Sequence, residues 1–262
     1  MNTLLTNRVR DTIKSKAGNI LNIYFTAGYP SLNDTVSIIR ALDRCDVDLI
    51  ELGMPYSDPL ADGPTIQNSS EKAIKNGMTI SILFDQVKEA RKHSAIPIIL
   101  MGYYNQILQY GVERFVQDAS LAGIDGLIIP DLPMLVYEEE YMPLFIRHHM
   151  SISFLISPMT GNDRIKMADR LSSGFIYIVS QNSITGKSQY VSEEQLNYFE
   201  RIKNLKLQSP TLIGFGIHDK KSFLTACHHS HGAIIGSAFI RALNQAYSPE
   251  SIIPSFIQSI RT

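Results

Sequence analysis

The sequence is short of several things at once. It contains no tryptophan, and its two cysteines, Cys45 and Cys227, lie far apart and form no CxxC pair. Two such cysteines build no disulfide framework, so a reducing cytoplasm is the expected setting. No apolar stretch reaches the roughly 18 residues that a membrane-crossing helix needs. Neither sign of charge is in excess: 24 Lys and Arg stand against 25 Asp and Glu, for a net charge of -1. That removes the basic field that would draw in nucleic acid or an anionic membrane. The opening MNTLLTNRVRDTIKSK is amphipathic and mixed in charge, without a signal peptide's apolar stretch or small-residue cleavage site. No P-loop and no GxGxxG occurs, so a nucleotide is not implied.

What is present is a repeating pattern. Apolar, β-branched runs recur at 20–28, 47–55, 96–104, 126–133, 152–159, 174–181, 210–217 and 232–239. Each is short and ends in or near Gly, Pro, Ser, Asn or Asp, as strands buried on both faces of a parallel sheet do. Segments of helical period separate them. The first carries Leu32, Val36, Ile39 and Leu42 on one stripe, with Ser31 as its expected N-cap. Others are expected at 80–93, 112–122, 136–148, 162–171, 192–205 and 220–228. An N-terminal helix and an extra helix at 66–75, after the second strand, complete the pattern. Eight alternations favour a closed (β/α)8 barrel over an open doubly wound sheet. The 262 residues suit one such barrel, so 1–262 reads as a single domain.

The second run carries the chemistry. Glu51 stands inside it, and strand alternation puts Val47, Leu49 and Glu51 on one face. A buried acid is costly unless paired or working. The structural alternative is an ion pair with a buried Arg or Lys. A loop rich in turn formers follows and holds Asp62 in Pro-Leu-Ala-Asp-Gly-Pro; its alternative is a turn or cap residue. Asp58 reads as loop-shaping. If both Glu51 and Asp62 work, they form a divided acid/base site.

Other residues extend this reading. Gly214-Phe215-Gly216-Ile217 ends the seventh run and Gly236-Ser237-Ala238 the eighth, where barrels often bind phosphate beside a helix N-terminus. Thr185-Gly186, in a polar stretch after the sixth run, could close over the same phosphate. Tyr24, Phe25, Tyr103, Tyr104 and Tyr177 fall on strands, as core or as a slot for a flat apolar substrate. Tyr177 is the strongest functional candidate, with Glu51 as its expected partner. Six histidines fall in helices or just past them, and His218 reads as a loop or cap residue. Cys227-His228-His229-Ser230-His231 does not have a zinc spacing, so no metal is expected.

The segment 49–63 resembles the signature of the tryptophan synthase α chain family. The similarity continues through Pro64-Thr65-Ile66-Gln67, Leu100-Met101-Gly102-Tyr103-Tyr104-Asn105, Pro130-Asp131-Leu132-Pro133, Thr185-Gly186, Gly214-Phe215-Gly216-Ile217 and Gly236-Ser237-Ala238. It implies a (β/α)8 lyase that cleaves indole-3-glycerol phosphate to indole and glyceraldehyde 3-phosphate. By this resemblance Glu51 shuttles protons and Asp62 holds the indole N–H. Tyr24 and Tyr103 flank the ring, with Tyr104 as the alternative to Tyr103. Thr185 and Gly186 belong to a mobile loop, and Gly216, Gly236 and Ser237 hold phosphate.

The resemblance further implies no cofactor in this chain. Pyridoxal phosphate is expected in a partner β chain, within an α2β2 heterotetramer. The partner surface would be the rim at 54–64, 103–110 and 130–136. Ser180-Gln181-Asn182-Ser183-Ile184 departs from the family, which often has a basic residue and a glycine before the Thr-Gly pair. Two other readings are a stand-alone indole-releasing lyase and a catalytically silent activator of the β chain; retention of both acids argues against the second.

Overall fold

A computed structural model describes residues 7–59, 62–180, 192–214, 216–245 and 248–262. The strands are β1 (Ile20–Thr26), β2 (Leu49–Gly53), β3 (Ile98–Met101), β4 (Gly126–Ile128), β5 (Ser151–Ile152), β6 (Leu155–Ile156), β7 (Ile176–Val179), β8 (Thr211–Gly214) and β9 (Gly232–Ile235). All pair in parallel, in the order β5-β4-β3-β2-β1-β9-β8-β7-β6.

The two ends of that order are halves of one run. Ser153 and Phe154 separate β5 from β6, and both still bond sideways. The Ser153 N–H donates to Leu127 O at 3.1 Å, and the Tyr177 N–H donates to Phe154 O at 2.9 Å. The sheet therefore shuts on itself, and the fold is the expected α/β barrel, with the fifth strand in two pieces. Closure explains why the strand residues show no polar alternation. Every residue of β1 and β2 is buried, one face on the barrel axis and the other under helices.

The helices follow from local chemistry. Val112–Ala122 buries Phe115, Val116, Ala119 and Ala122 on one stripe and ends at Gly123, whose φ of 90° suits glycine. Asn162–Leu171 also has the expected bounds. Ser192 caps Glu193–Asn204 reciprocally with Gln195. The extra helix after β2 spans Pro64–Lys75, and the N-terminal helix spans Arg8–Ser15.

Three expectations shift. Ser31 does not cap the first barrel helix; it opens a turn, its N–H donating to Asp34 Oδ2 at 3.0 Å, and Asn33 is the N-cap of Asp34–Asp43. The third run stops being a strand at Met101 and turns into the helix Tyr104–Tyr110. The expected helix at 136–148 is broken into Met134–Val136, a π turn at Tyr137–Tyr141, and Met142–Arg147. Pro143 has no N–H to give to the preceding turn, which favours the interruption. Beyond β9 lie the helices Ser237–Gln245 and Pro249–Arg261.

The strands' N-terminal ends form the foot of the barrel, where buried acids meet cations. Asp48 accepts from the Leu21 N–H at 2.8 Å and from Arg261 at 2.9 Å, and also pairs with Lys16. Asp125 pairs with Arg8 and Arg91, each at 2.7 Å. It also accepts from the Ile98 N–H at 2.9 Å.

Candidate active site

The strands' C-terminal ends are built differently. Register places Tyr24 beside Glu51 and Glu51 beside Ile99, with Asn22 two residues earlier on the Tyr24 side of β1. Glu51 is 0% exposed. Its Oε1 accepts from the Asn22 amide N–H at 2.6 Å, and its Oε2 has no hydrogen-bond partner. No cation pairs with it among the described residues, so the ion-pair alternative is not what the fold contains. Burial pushes the Glu51 carboxyl up to about 8, with the Asn22 hydrogen bond opposing that rise. The expected Tyr177–Glu51 hydrogen bond is replaced by the one from Asn22. Tyr177 couples to the site by charge: burial first, then Glu51 and Asp62, raise its pKa well above the usual value.

Asp62 sits on the loop after β2, half-buried. Its Oδ2 accepts from the Tyr103 hydroxyl at 3.2 Å. Burial pushes its carboxyl up to about 6, and the Tyr103 bond opposes the rise. The two acids thus have separated proton affinities, one protonated and one mostly ionised near neutrality. Asp58 shapes the loop instead, accepting from the Ser57 hydroxyl at 2.6 Å on the exposed side.

Tyr24, Asp62 and Tyr103 share one small cavity with Met54, Tyr56 and Met101. Tyr103, not Tyr104, lines it; the Tyr104 hydroxyl meets that of Tyr141 at 2.5 Å. Close backbone approach makes the room: a Cβ on Gly53 would overlap the Tyr24 hydroxyl, and one on Gly214 would overlap that of Tyr177. Burial, then Asp62, push the Tyr24 phenol well above its usual range. Tyr56 stacks on Tyr103 at 5.0 Å between ring centres. Its ring lines the slot, which has a free volume of about 10 Å³, enough for about one water.

A far larger cavity, about 750 Å³, lies at the foot among Lys16, Lys206, Cys227, His229, His231 and Arg261. Size does not select it, because the unpaired buried carboxylate and its coupled phenols are at the other end. No group of three or more His, Cys, Asp or Glu with metal-binding geometry occurs among the described residues.

Gly216 follows β8 with φ of 79° and open space where a Cβ would stand. His218 is exposed and holds Gly216 O through Nδ1 at 2.8 Å, a loop role as expected. Gly236 and Ser237 follow β9, with Ser237 starting the helix Ser237–Gln245. Free N–H groups at such a terminus suit an anion. Thr185, Gly186 and Phe215 lie outside the described residues.

Sequence reading passed over Asn22 and Tyr56. The signal for Asn22 was available: it is a lone amide in the apolar run ILNIYFT. Tyr56 has no such mark, because only folding stacks it on Tyr103.

Comparison with known proteins shows the family. The family model described as "Tryptophan synthase alpha chain" matches residues 11–259. The tryptophan synthase alpha chain of Flavobacterium psychrophilum is 51% identical over 254 residues, 97% of this chain and 99% of that one. That of Parabacteroides distasonis is 44% identical over 255 residues, covering 97% and 99%. Among solved structures, the tryptophan synthase subunit alpha of Legionella pneumophila superposes with a TM-score of 0.87 at 30% identity, covering 98% of this chain and 97% of that one. A chain of the tryptophan synthase complex of Pyrococcus furiosus gives 0.85 at 31% identity, covering 93% and 98%. With a matching family model over nearly its whole length and relatives at about half identity, the chain belongs to the tryptophan synthase α chain family.

Proposed function

We propose that this chain is the lyase of a tryptophan synthase, cleaving indole-3-glycerol phosphate to indole and glyceraldehyde 3-phosphate, with Glu51 and Asp62 carrying the proton chemistry. The observation that carries this assignment of roles is the separation of the two acids. Glu51, with a carboxyl at about 8, holds a proton at neutral pH; Asp62, at about 6, is mostly an anion.

The reaction needs those two states. Glu51 delivers its proton to C3 of the indole, and the ring nitrogen becomes cationic. Asp62 accepts a hydrogen bond from that N–H and steadies the charge. The side-chain hydroxyl next to C3 then loses its proton to the Glu51 carboxylate. Its O–H electrons form the aldehyde carbonyl, the C–C pair returns to the ring, and indole leaves. Glu51 ends protonated, as it began. Tyr24 and Tyr103 bracket the ring, which requires Tyr56 to swing off Tyr103 when substrate enters. Tyr177 borders Glu51 from β7. Gly216, Gly236 and Ser237 receive the phosphate, with Thr185 and Gly186 assigned to its cover.

Indole passes to a pyridoxal-phosphate-dependent β chain in an α2β2 heterotetramer. Support for that face comes from Leu108, 47% exposed, and Leu135, 59% exposed, both on the proposed rim beside the site. This chain needs no cofactor for its own step, since the acids suffice. The whole chain acts as one barrel unit. Its two free cysteines, Cys45 and Cys227, fit a cytoplasmic location. No helix of the described residues is long and apolar enough to cross a membrane.

The test is indole release from indole-3-glycerol phosphate, with and without a cognate β chain. Release that rises on adding the β chain is expected. Equal rates in both would favour a stand-alone lyase. Absence of release in both would overturn the proposal and leave the silent activator.

A further inference from the structure

Asn22 is a costly residue for its place. It is 0% exposed, between apolar neighbours on β1. Its Oδ1 has no hydrogen-bond partner. A buried amide carbonyl left unpaired is destabilising, whereas an apolar side chain of similar size carries no such penalty. The one bond its side chain makes among the described residues is to Glu51 Oε1. At 2.6 Å, that bond is short for an N–H···O contact.

We propose that Asn22 is a positioning residue for Glu51: it holds Oε1 as acceptor, so that the unpartnered Oε2 is the oxygen that gives and takes the proton. This deepens the lyase reading and rests on it. A carboxylic acid has one protonated oxygen and one carbonyl oxygen. An amide N–H can satisfy only the second, so it selects which oxygen bears hydrogen and fixes the plane of the carboxyl group. The other titratable groups around Glu51 are Tyr24 on β1, Asp62 on the loop after β2 and Tyr177 on β7; Ile99 beside it on β3 is apolar. None of these supplies the orienting hydrogen bond. Asn22 and Glu51 lie on neighbouring strands, so the pair is as rigid as the sheet.

The experiment measures the infrared band of the protonated carboxyl across pH in the full chain, with Glu51→Gln as the reference that lacks it. In Asn22→Leu the midpoint should move up by about 1–2 pH units, the loss of one hydrogen bond to a charged group. Under saturating substrate, kcat for indole release should fall about 10- to 100-fold while KM stays within about twofold. A folded Asn22→Leu chain with unchanged midpoint and unchanged kcat overturns the proposal. Should Asn22→Leu not fold, Asn22→Asp keeps the shape and sets a second carboxylate against the first. Its midpoint should also rise, and an unmoved one overturns the proposal equally. If the wild-type chain releases no indole, the lyase reading fails, and the infrared midpoint still decides whether Asn22 governs Glu51.

Discussion

Asp48 and Glu51 stand three residues apart at the foot and the middle of one strand segment, and both are buried. Their surroundings are opposite. Asp48 is met by Arg261, Lys16 and the Leu21 N–H. Glu51 is met by one amide, and one of its oxygens is met by nothing. The same contrast holds between Asp125, held by Arg8 and Arg91, and Asp62, held by a phenol. Acids at the foot are neutralised and satisfied; acids at the mouth are desolvated with a neutral hydrogen-bond donor and no cation. Burial alone therefore does not mark a working carboxylate here. Burial without a cation is what sets the two proposed catalytic acids apart.

The largest break in that comparison is Glu51→Gln. It keeps the shape and the Asn22 contact and removes the proton. Indole release should fall by about 10³-fold or more, measured as kcat with saturating substrate. Stability should move the other way at high pH. The folded carboxyl, at about 8, lies above its usual 4.5, so the unfolded chain loses this proton first. The favourable contribution is complete below about 4.5 and is lost as pH rises through about 8. Glu51→Gln should therefore match wild type in acid and exceed it in urea unfolding at pH 9 by an order of 3–5 kcal/mol. A variant that stays active, or gains no stability at pH 9, would place Glu51 with the acids at the foot.

Asp62→Asn comes next. The amide keeps a hydrogen-bond acceptor for the indole N–H but loses the charge that stabilises the cation. A fall of about 10²-fold in kcat is expected. A loss of only a few-fold would make Asp62 a loop former held by Tyr103, and the mouth would then have one working acid instead of two.

Asp48→Asn tests the foot. Arg261 would lose its buried carboxylate partner and Lys16 its closer one. Unfolding free energy should fall by about 2–4 kcal/mol, while kcat per folded molecule stays unchanged. A large drop in kcat at intact stability would show that the two ends are coupled, and the division by end would not hold.

Sequence pattern reached parts of this and not others, for reasons that lie in geometry. The barrel showed through because each buried strand is a contiguous apolar run. Val112–Ala122 showed through because its stripe and its Gly123 stop are local. Glu51 stood out as an acid where acids are costly. Asn22 obeys the same rule but has a smaller penalty, and its reason, a bond to a residue 29 positions away, exists only after β1 and β2 pair. The helix Tyr104–Tyr110 was hidden because its aromatic start reads like the end of a strand; in the fold the Asp131 side chain accepts from the Tyr104 N–H at 2.8 Å and turns the chain. Tyr56 over Tyr103 was out of reach for the same reason, as a contact between a loop and the next strand's end.

Gly236→Ala is the smallest change and asks what else belongs to the mouth. A Cβ there would sit 3.3 Å from Tyr24 Cδ1, tight enough that the ring must give by a few tenths of an ångström. It would also stand beside the first N–H groups of Ser237–Gln245, where the phosphate is proposed to approach. These two effects separate kinetically. Displacing Tyr24 disturbs the ring over the reacting carbon and should lower kcat. Crowding the phosphate weakens binding in ground state and transition state alike, so KM should rise by about 10-fold with kcat nearly unchanged. Unphosphorylated indole glycerol should then be insensitive to the substitution. If KM holds and kcat falls for both substrates, Gly236 serves the aromatic slot. The phosphate would then be held elsewhere, and the mouth would be defined by its two unneutralised acids without an anion site at β9.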